Sequence, residues 1–321
     1  MPRPQRDHAR VLHIARLHYE DRRTQAEIAH ALGVSVATVS RHLQQAWALG
    51  LVETRVASSA WRDFGLEAEL VRGLGLDAAC VVRGAGSTAA TERVLGEVAA
   101  RQLEEVIAPG AVIGVSNGRT LAAVAAEARR ARSADLDVVT LIGGIGRAES
   151  ASQTGEICRT LAERLGGRAW ILPVPAVVET AETAAALRAS NAAAEVFALV
   201  DRLSVAMFGI GSMAPGSSTY QHGLFDAGHL GAMAARDAAG SICARFYDSA
   251  GAMIRSARDE CTLSIGLERL ARIPVRFAVA FGPDKLDAIR AAIRGGLVNR
   301  LATDGDTAIA LVRGVAADED G

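Results

Sequence analysis

The chain has 321 residues, of which 50% are hydrophobic and 4% aromatic, and its formal net charge is −1. This length predicts two domains with cores of Ala, Val, Leu and Ile, and no apolar run approaches the length that spans a bilayer, so no membrane partner is expected. The four cysteines form no Cys-x-x-Cys pair and the amino terminus has no apolar leader, which argues against a zinc site, a disulfide framework or secretion and favours buried free thiols in the cytoplasm.

The segment from Thr24 to Val52 has the sequence pattern of a helix-turn-helix. Thr24 and Glu27 have the spacing of a capping box, which predicts the start of a short helix. Gly33 permits a sharp reversal of the chain that a side chain would obstruct. Ser35 is a suitable N-cap for a second helix. This motif points to DNA rather than to a reaction.

The second helix of this motif carries most of the predicted DNA contacts. Val39, Leu43, Ala46 and Trp47 recur at helical spacing and are expected to face inward. The opposite face is small, polar or cationic, as a helix in the major groove of double-stranded DNA requires. The residues predicted to contact DNA are Thr24, Gln25, Ser35, Ala37, Thr38, Ser40, Arg41 and Gln44. The alternative is an ordinary helical hairpin on some other surface.

Two further features agree with a DNA-binding head. The residues Leu51-Val52-Glu53-Thr54 have the pattern of the beginning of a short wing or strand. Residues 1–62 contain nine arginines and five acidic residues, so the head is mildly basic and the remainder of the chain is acidic. Such an imbalance fits phosphate contact through the head only, although the charge alone is weak evidence.

From Asp77 onward, short apolar runs alternate with amphipathic stretches, which predicts an α/β domain with a parallel sheet. The predicted strands are Ala78–Val82, Ala111–Val115, Leu136–Ile142, Ala169–Leu172, Leu203–Phe208, Val275–Phe281 and Val298–Ala302. The predicted helices are Thr91–Ile107, Arg119–Arg132, Gln153–Leu165, Asn191–Val200, Asp284–Arg294 and Asp306–Val312. In such sheets ligands bind at the carboxyl ends of the strands.

Glycine-containing turns follow several of these strands. The turn Gly114–Thr120 opens a predicted helix and offers backbone amides that suit an anion. It has neither the Walker ending nor the dinucleotide-binding glycine pattern. Similar turns occur at Leu141–Gly146 and Gly209–Met213. A single glycine turn after a buried strand often serves only to turn the backbone, but several such turns at one sheet edge predict a ligand crevice.

Lys285 is the only lysine of the chain, and it follows a predicted strand at the start of a helix. Its ammonium group could hold a phosphate or hydroxyl in the same crevice, or it could be an ordinary solvent-facing residue. Acids lie nearby, and His222 is the best lone candidate for a base. The sequence contains no nucleophile elbow, no metal-ligand cluster and no diagnostic carboxylate pair, so no catalytic residue, metal or cofactor is assigned.

Taken together, these residues resemble the SorC-type (SorC/DeoR) regulators of bacterial sugar catabolism over almost the whole chain. The motifs that carry this resemblance are Thr24-Gln25, Glu27-Ile28-Ala29, Leu32-Gly33-Val34-Ser35, Val39-Ser40-Arg41, Gly114-Val-Ser-x-Gly118-x-Thr120, Gly143-Gly144, Gly209-Ile-Gly-Ser212, Gly282-x-x-Lys285-x-x-Ala288-Ile289, Ala292-x-x-Gly295-Gly296 and Leu301-x-Thr303-Asp304-x-x-Thr307-Ala308. The resemblance implies a Rossmann-like sugar-binding domain similar in fold to phosphosugar isomerases and coenzyme A transferases, which senses phosphorylated sugars without turnover.

The resemblance also implies an effector site. The residues assigned to it, with additions from the same strand ends, are Ser116, Asn117, Gly118, Arg119, Thr120, Gly143, Gly144, Gly211, Asp248 and Lys285. The chain departs from the family at Asn117, where Trp is frequent, and at Ser241, where an acid is frequent. A Schiff-base lysine in the first half of the domain is also ruled out, because Lys285 is the only lysine. These departures suggest an atypical polyol, sugar or sugar phosphate.

We therefore expect a helix-turn-helix DNA-binding domain at residues 1–57 and an effector-binding and oligomerisation domain at residues 58–321. The expected function is regulation of a carbohydrate catabolism operon by a homodimer or homotetramer that binds operator DNA and a carbohydrate effector. One alternative is a sugar-phosphate isomerase or deaminase with an accessory DNA-binding head, acting through Asp248 or His222. A weaker alternative is a redox sensor that uses the cysteines.

Overall fold

The computed structural model describes residues 4–19, 21, 23–52, 61–84, 86–129, 135–146, 152–215, 217 and 224–319. The chain divides into two compact units, Met1–Ala57 and Ser58–Gly321. No helix in the described ranges combines the length and the apolar character needed to cross a membrane.

The first unit contains three helices, α1 (Pro4–Tyr19), α2 (Gln25–Leu32) and α3 (Val36–Ala48). The predicted capping box is present, because the Glu27 N–H donates to Thr24 Oγ1 at 3.3 Å and the Thr24 N–H donates to the Glu27 carboxylate at 2.8 Å. Gly33 ends α2 in the left-handed region with φ 63°. Ser35 caps α3 by accepting the Thr38 N–H at 3.1 Å.

The core of this unit lies between the three helices. It includes Ile14 of α1, Ile28 of α2 and Val39 and Leu43 of α3, all with at most 5% exposure. The prediction that Trp47 faces inward is wrong: its side chain is 47% exposed, and its Nε1–H donates to the Tyr19 hydroxyl at 3.0 Å. Helical spacing places position 47 at the margin of the buried stripe, and the indole can keep its N–H bonded there. Of the predicted wing, Leu51 and Val52 belong to no strand, and Glu53 and Thr54 lie outside the described residues.

The second unit is built on a seven-stranded sheet in which every neighbouring pair is parallel. Its strands are β1 (Ala78–Val82), β2 (Val112–Val115), β3 (Asp137–Thr140), β4 (Arg168–Trp170), β5 (Val205–Phe208), β9 (Val275–Val279) and β10 (Arg300–Asp304). The order across the sheet is β1-β10-β9-β5-β2-β3-β4. After β2 the chain adds β3 and β4 on one side of it and then adds β5, β9 and β10 on the other side, so the order of the connections reverses between β2 and β5. Every predicted strand is present, which confirms the predicted α/β class.

Helices connect and cover these strands. They are α4 (Phe64–Leu74), α5 (Thr88–Val106), α6 (Arg119–Glu127), α7 (Thr154–Leu165), α8 (Ala181–Ala189), α9 (Asn191–Val200), α10 (Ala227–Ala234), α11 (Leu267–Leu270), α12 (Leu286–Arg294) and α13 (Gly305–Glu319). Alternate residues of β1 enter two different hydrophobic clusters: Ala79 and Val81 join one, and Cys80 and Val82 join the other. The sheet is therefore buried on both faces, which explains why its strands read as continuous apolar runs.

A small antiparallel sheet, absent from the sequence predictions, stands beside the main one. Its strands are β6 (Gly211–Ser212), β7 (Ala238–Ile242) and β8 (Arg245–Asp248). The turn between β7 and β8 consists of Cys243 and Ala244, both with positive φ, at 50° and 62°. Positive φ at both central residues is the conformation of a type I′ turn, which usually selects Asn or Gly.

Candidate functional site

A cavity of about 650 Å³ lies where the central strands of the main sheet end. The segments that follow β2, β5 and β9 line it, together with Asp304 at the end of β10 and Thr88 and Glu92 of α5. The predicted effector residues that line it are Ser116, Asn117, Gly118, Arg119, Thr120, Gly211 and Lys285. Because the connections diverge between β2 and β5, this is the crevice that an open parallel sheet offers to a ligand.

The turn after β2 presents an uncapped helix start to the cavity. Gly118 has φ 133°, and its N–H donates to the Ser152 carbonyl at 3.0 Å. No side chain caps α6, and the first backbone donor to close a helical turn is Ala122, which bonds Gly118 at 3.0 Å. Within the described ranges, the amides of Arg119, Thr120 and Leu121 therefore have no acceptor. Free amides and the helix dipole at this end both favour an anion.

Two hydroxyls of this turn hold the neighbouring strand ends together. Ser116 Oγ donates to the Asn117 carbonyl at 3.2 Å and accepts the Gly209 N–H at 3.3 Å. Thr120 Oγ1 donates to the Val279 carbonyl at 3.3 Å. These bonds tie the end of β2 to the ends of β5 and β9, so the hydroxyls set the shape of the cavity as well as lining it.

Among the described residues that line the cavity, Lys285 is the cation without a partner. Burial lowers the pKa of its ammonium group, and Arg119 lowers it further, while Asp284 and Glu92 act in the opposite direction. Lys285 forms no side-chain hydrogen bond or ion pair with any residue that the structure describes. The other charged lining groups are engaged, since Arg119 pairs with Glu92 at 3.2 Å and the Asp284 carboxylate accepts from Ser212 Oγ at 2.9 Å.

The small antiparallel sheet and the segment before α10 supply a second, mainly apolar wall. Leu224 and Phe225 precede α10, and Cys243 and Ala244 form the tip of the β7–β8 hairpin. Ser241 of β7 also lines the cavity. This wall was missed by the sequence analysis, apart from the note on Ser241, because its strands are too short to give a pattern and its turn has no glycine.

Three residues that were assigned to the effector site lie elsewhere. Gly143 and Gly144 donate their amides to the carbonyls of Leu263 at 3.0 Å and Val174 at 2.8 Å, in packing between segments of the chain. Asp248 accepts the N–H groups of Ala250 and Ala252, each at 2.9 Å, and so closes the turn after β8. None of the three lines the cavity.

The predicted acid–base residues do not come together as a catalytic set in the described ranges. Asp304 lines the cavity, and its carboxylate caps α13 by accepting the Thr307 N–H at 2.9 Å. Asp248 lies away from it, and His222 is outside the described residues. No group of three or more His, Cys, Asp or Glu side chains in the described ranges is placed to hold a metal ion.

The four cysteines are free and buried, as predicted. Burial raises the pKa of the thiols of Cys80, Cys158 and Cys243 to about 12. Reactive thiols need the opposite shift, because the thiolate is the nucleophile. The redox-sensor alternative therefore has no support at these three residues.

The residues predicted to contact DNA divide into two groups. Ala37, Arg41 and Gln44 are exposed on α3, and Gln25, Thr38 and Ser40 are partly exposed. Thr24 and Ser35 are exposed, but their hydroxyls are used as helix N-caps.

A three-helix unit with an exposed recognition helix, joined to an α/β unit with an anion-suited crevice, defines a ligand-sensing DNA-binding protein. Two family models match accordingly. Residues 14–53 match “Winged helix-turn-helix DNA-binding”, and residues 59–313 match “Putative sugar-binding domain”. The chain belongs to this family of sugar-binding transcriptional regulators, which confirms the predicted membership.

Relatives of known role are similar over nearly their full length. The sorbitol operon regulator of Klebsiella pneumoniae is 29% identical, with 94% of this chain and 97% of that protein covered. The erythritol catabolism regulatory protein EryD of Brucella abortus is also 29% identical, with 95% and 97% covered. The deoxyribonucleoside regulator of Bacillus subtilis is 28% identical, with 93% and 95% covered.

Solved structures of related regulators have a similar fold. The full-length sorbitol operon regulator SorC from Klebsiella pneumoniae superposes with a TM-score of 0.75 at 28% identity, covering 95% of this chain and 99% of that one. A DeoR family regulator from Listeria monocytogenes gives 0.70 at 26% identity, covering 77% and 98%. The chain is a DNA-binding transcriptional regulator with a sugar-binding domain, and the relatives give no support to the enzyme alternative.

Proposed function

We propose that the effector is a sugar or polyol that carries a phosphate group, and that it binds in the cavity between α6 and Lys285. The observation that carries this proposal is the free ammonium of Lys285 in the same cavity as the uncapped start of α6. A partly buried cation without a protein partner loses hydration without compensation, and a dianionic phosphate supplies the missing partner. The relatives' names mention sorbitol, erythritol and deoxyribonucleosides, which supports a small hydroxylated molecule of this class.

The lining residues take distinct roles. The amides of Arg119, Thr120 and Leu121 and the Lys285 ammonium hold the phosphate. Asn117 and Ser241 face the same cavity with side chains that can donate to or accept from hydroxyl groups. Phe225 offers a flat apolar surface to the carbon skeleton.

The two units divide the work of regulation. Residues 1–57 bind the operator, and residues 58–321 bind the effector and form a homodimer or homotetramer. A twofold-symmetric assembly places two recognition helices on half-sites about 34 Å apart, or a multiple of that distance. Effector binding then shifts the balance between arrangements that bind DNA and arrangements that do not.

A thermal-shift comparison of the full-length protein tests the effector class. The ligands are glucitol 6-phosphate, ribose 5-phosphate and 2-deoxyribose 5-phosphate, each beside its unphosphorylated parent. We expect at least one phosphorylated member to raise the Tm by mass action while its parent does not. Lys285→Met should abolish the rise, and Arg164→Met, which removes an exposed cation from α7, should keep it. A rise of equal size for parent and phosphate, or one that survives Lys285→Met, contradicts the proposal.

A further inference from the structure

We propose that the first turn of α3 reads a thymine methyl group through Val36 and Ala37, and that Arg41, one turn further along the same helix, reads a guanine of the same half-site. This inference rests on DNA binding by the first unit and adds the base preference of its operator half-site. It concerns Val36 above all, a residue that the outward-face prediction did not include.

Val36 is exposed at a position where the packing of the unit does not require a valine. Its side chain is 48% exposed at the first position of α3, next to the exposed Ala37. A β-branched residue loses rotamer freedom in a helix, so an uncovered valine lowers helix stability slightly relative to alanine. It is also absent from the buried clusters of the first unit. An exposed apolar group at this position suits an apolar ligand surface.

The hydroxyl groups of the same turn are already engaged. Ser35 Oγ accepts the Thr38 N–H at 3.1 Å and lies 2.9 Å from Thr38 Oγ1. The Thr38 carbonyl is 2.7 Å from His42 Nδ1. The hydroxyls of Ser35 and Thr38 are held by the cap and by each other, and the side chains of Val36 and Ala37 are the apolar groups that this turn offers to a base.

The N-terminal residues of a recognition helix are the ones that contact base edges in the major groove. In that groove only thymine presents a C5-methyl group, and apolar side chains are its partners. Contact with the adjacent Ala37 methyl extends the apolar surface, so the first turn discriminates thymine from cytosine by contact rather than by hydrogen bonds.

Arg41 supplies the second base contact. Its side chain is exposed and forms no hydrogen bond or ion pair with any residue in the described ranges. It follows Ala37 by four residues, about one helical turn or 6 Å along the helix axis, so Ala37 and Arg41 share one face of α3. Arginine in the major groove pairs bidentately with O6 and N7 of guanine. The half-site therefore combines a thymine and a guanine.

The experiment begins with selection from a randomised duplex library by the full-length protein. In the selected half-site, each dT is replaced in turn by dU, which removes only the C5-methyl group. For the unmodified protein, we expect one such replacement to weaken binding roughly fourfold, the value of one buried methyl-sized group. Val36→Ser should lose most of this preference for dT over dU, because only the Ala37 methyl group then remains. Ala31→Ser, an equivalent change on the exposed part of α2, should keep the fourfold preference.

Arg41→Ala should relax selection at the guanine and leave the thymine preference in place. The proposal is overturned if no dU replacement in the half-site affects the unmodified protein. It is also overturned if Val36→Ser still discriminates dT from dU by the same factor. Failure to enrich any sequence from the library would instead remove the DNA-binding function on which this inference rests.

Discussion

At the residue scale, the ionisation of Lys285 couples effector binding to pH. Burial lowers the pKa of this ammonium group in the free protein. A bound phosphate favours the charged form and raises the pKa again, so binding takes up a proton when the pH lies between the two values. Affinity for a phosphorylated effector is therefore greatest below the pKa of Lys285 in the free protein and falls as the pH rises through the window above it.

Calorimetric titration in two buffers of different ionisation enthalpy measures this proton uptake. For the unmodified protein at alkaline pH, we expect the apparent binding enthalpy to depend on the buffer, because the buffer supplies the proton that is taken up. In Lys285→Met, the contribution of this proton to the buffer dependence should disappear. Lys285→Arg is the matched control, because it keeps a positive charge that does not titrate in this range. If Lys285→Met showed the same alkaline loss of affinity and the same proton uptake as the unmodified protein, Lys285 would have no part in the linkage.

At the element scale, the two glycines after β3 differ in how closely they pack. A Cβ atom on Gly143 would lie 2.5 Å from the Val174 carbonyl oxygen, whereas on Gly144 the nearest atom is 3.9 Å away. Gly143→Ala must therefore displace backbone, and we expect it to lower the free energy of unfolding by roughly 2 kcal/mol. Gly144→Ala should change it by less than about 0.5 kcal/mol.

Chemical denaturation of the two variants measures the difference. Effector affinity, measured on the folded protein, should be nearly unchanged in Gly144→Ala, because neither glycine lines the cavity. Equal stability of Gly143→Ala and the unmodified protein would show that the close approach to Val174 relaxes without cost. A large loss of effector affinity in Gly144→Ala would return this turn to the effector site.

The elements that the sequence predicted are those whose pattern is local. Strands buried on both faces read as apolar runs, and the turns directly after them were correctly expected at one sheet edge. The small sheet depends instead on pairing between distant residues, such as Gly211 with Ser241, which no local pattern records. Its hairpin carries Cys243 and Ala244 at positive φ in place of Asn or Gly. The apolar wall of the cavity could not be predicted for the same reason.

At the scale of the whole molecule, a sensor needs a surface for DNA and a cavity for its effector, and the described residues supply one in each unit. The first unit presents a basic recognition helix, and the second presents a cavity with one free cation in the described ranges. A sensor must also couple these two functions, since an effector that binds all arrangements equally shifts no equilibrium. That coupling is a property of the full-length chain and cannot be assigned to either unit alone.

The coupling between effector and operator is reciprocal, so it can be measured from either ligand. If the effector changes operator affinity by some factor, saturating operator DNA must change effector affinity by the same factor, which is typically about 5- to 150-fold. Titrating the effector with and without the selected duplex measures one side, and titrating the duplex with and without effector measures the other. Lys285→Met should bind the duplex with unchanged affinity in the absence of effector, yet show a factor near one when phosphorylated effector is added. An effector that bound with the same affinity whether or not the operator was present would show that the cavity does not control DNA binding.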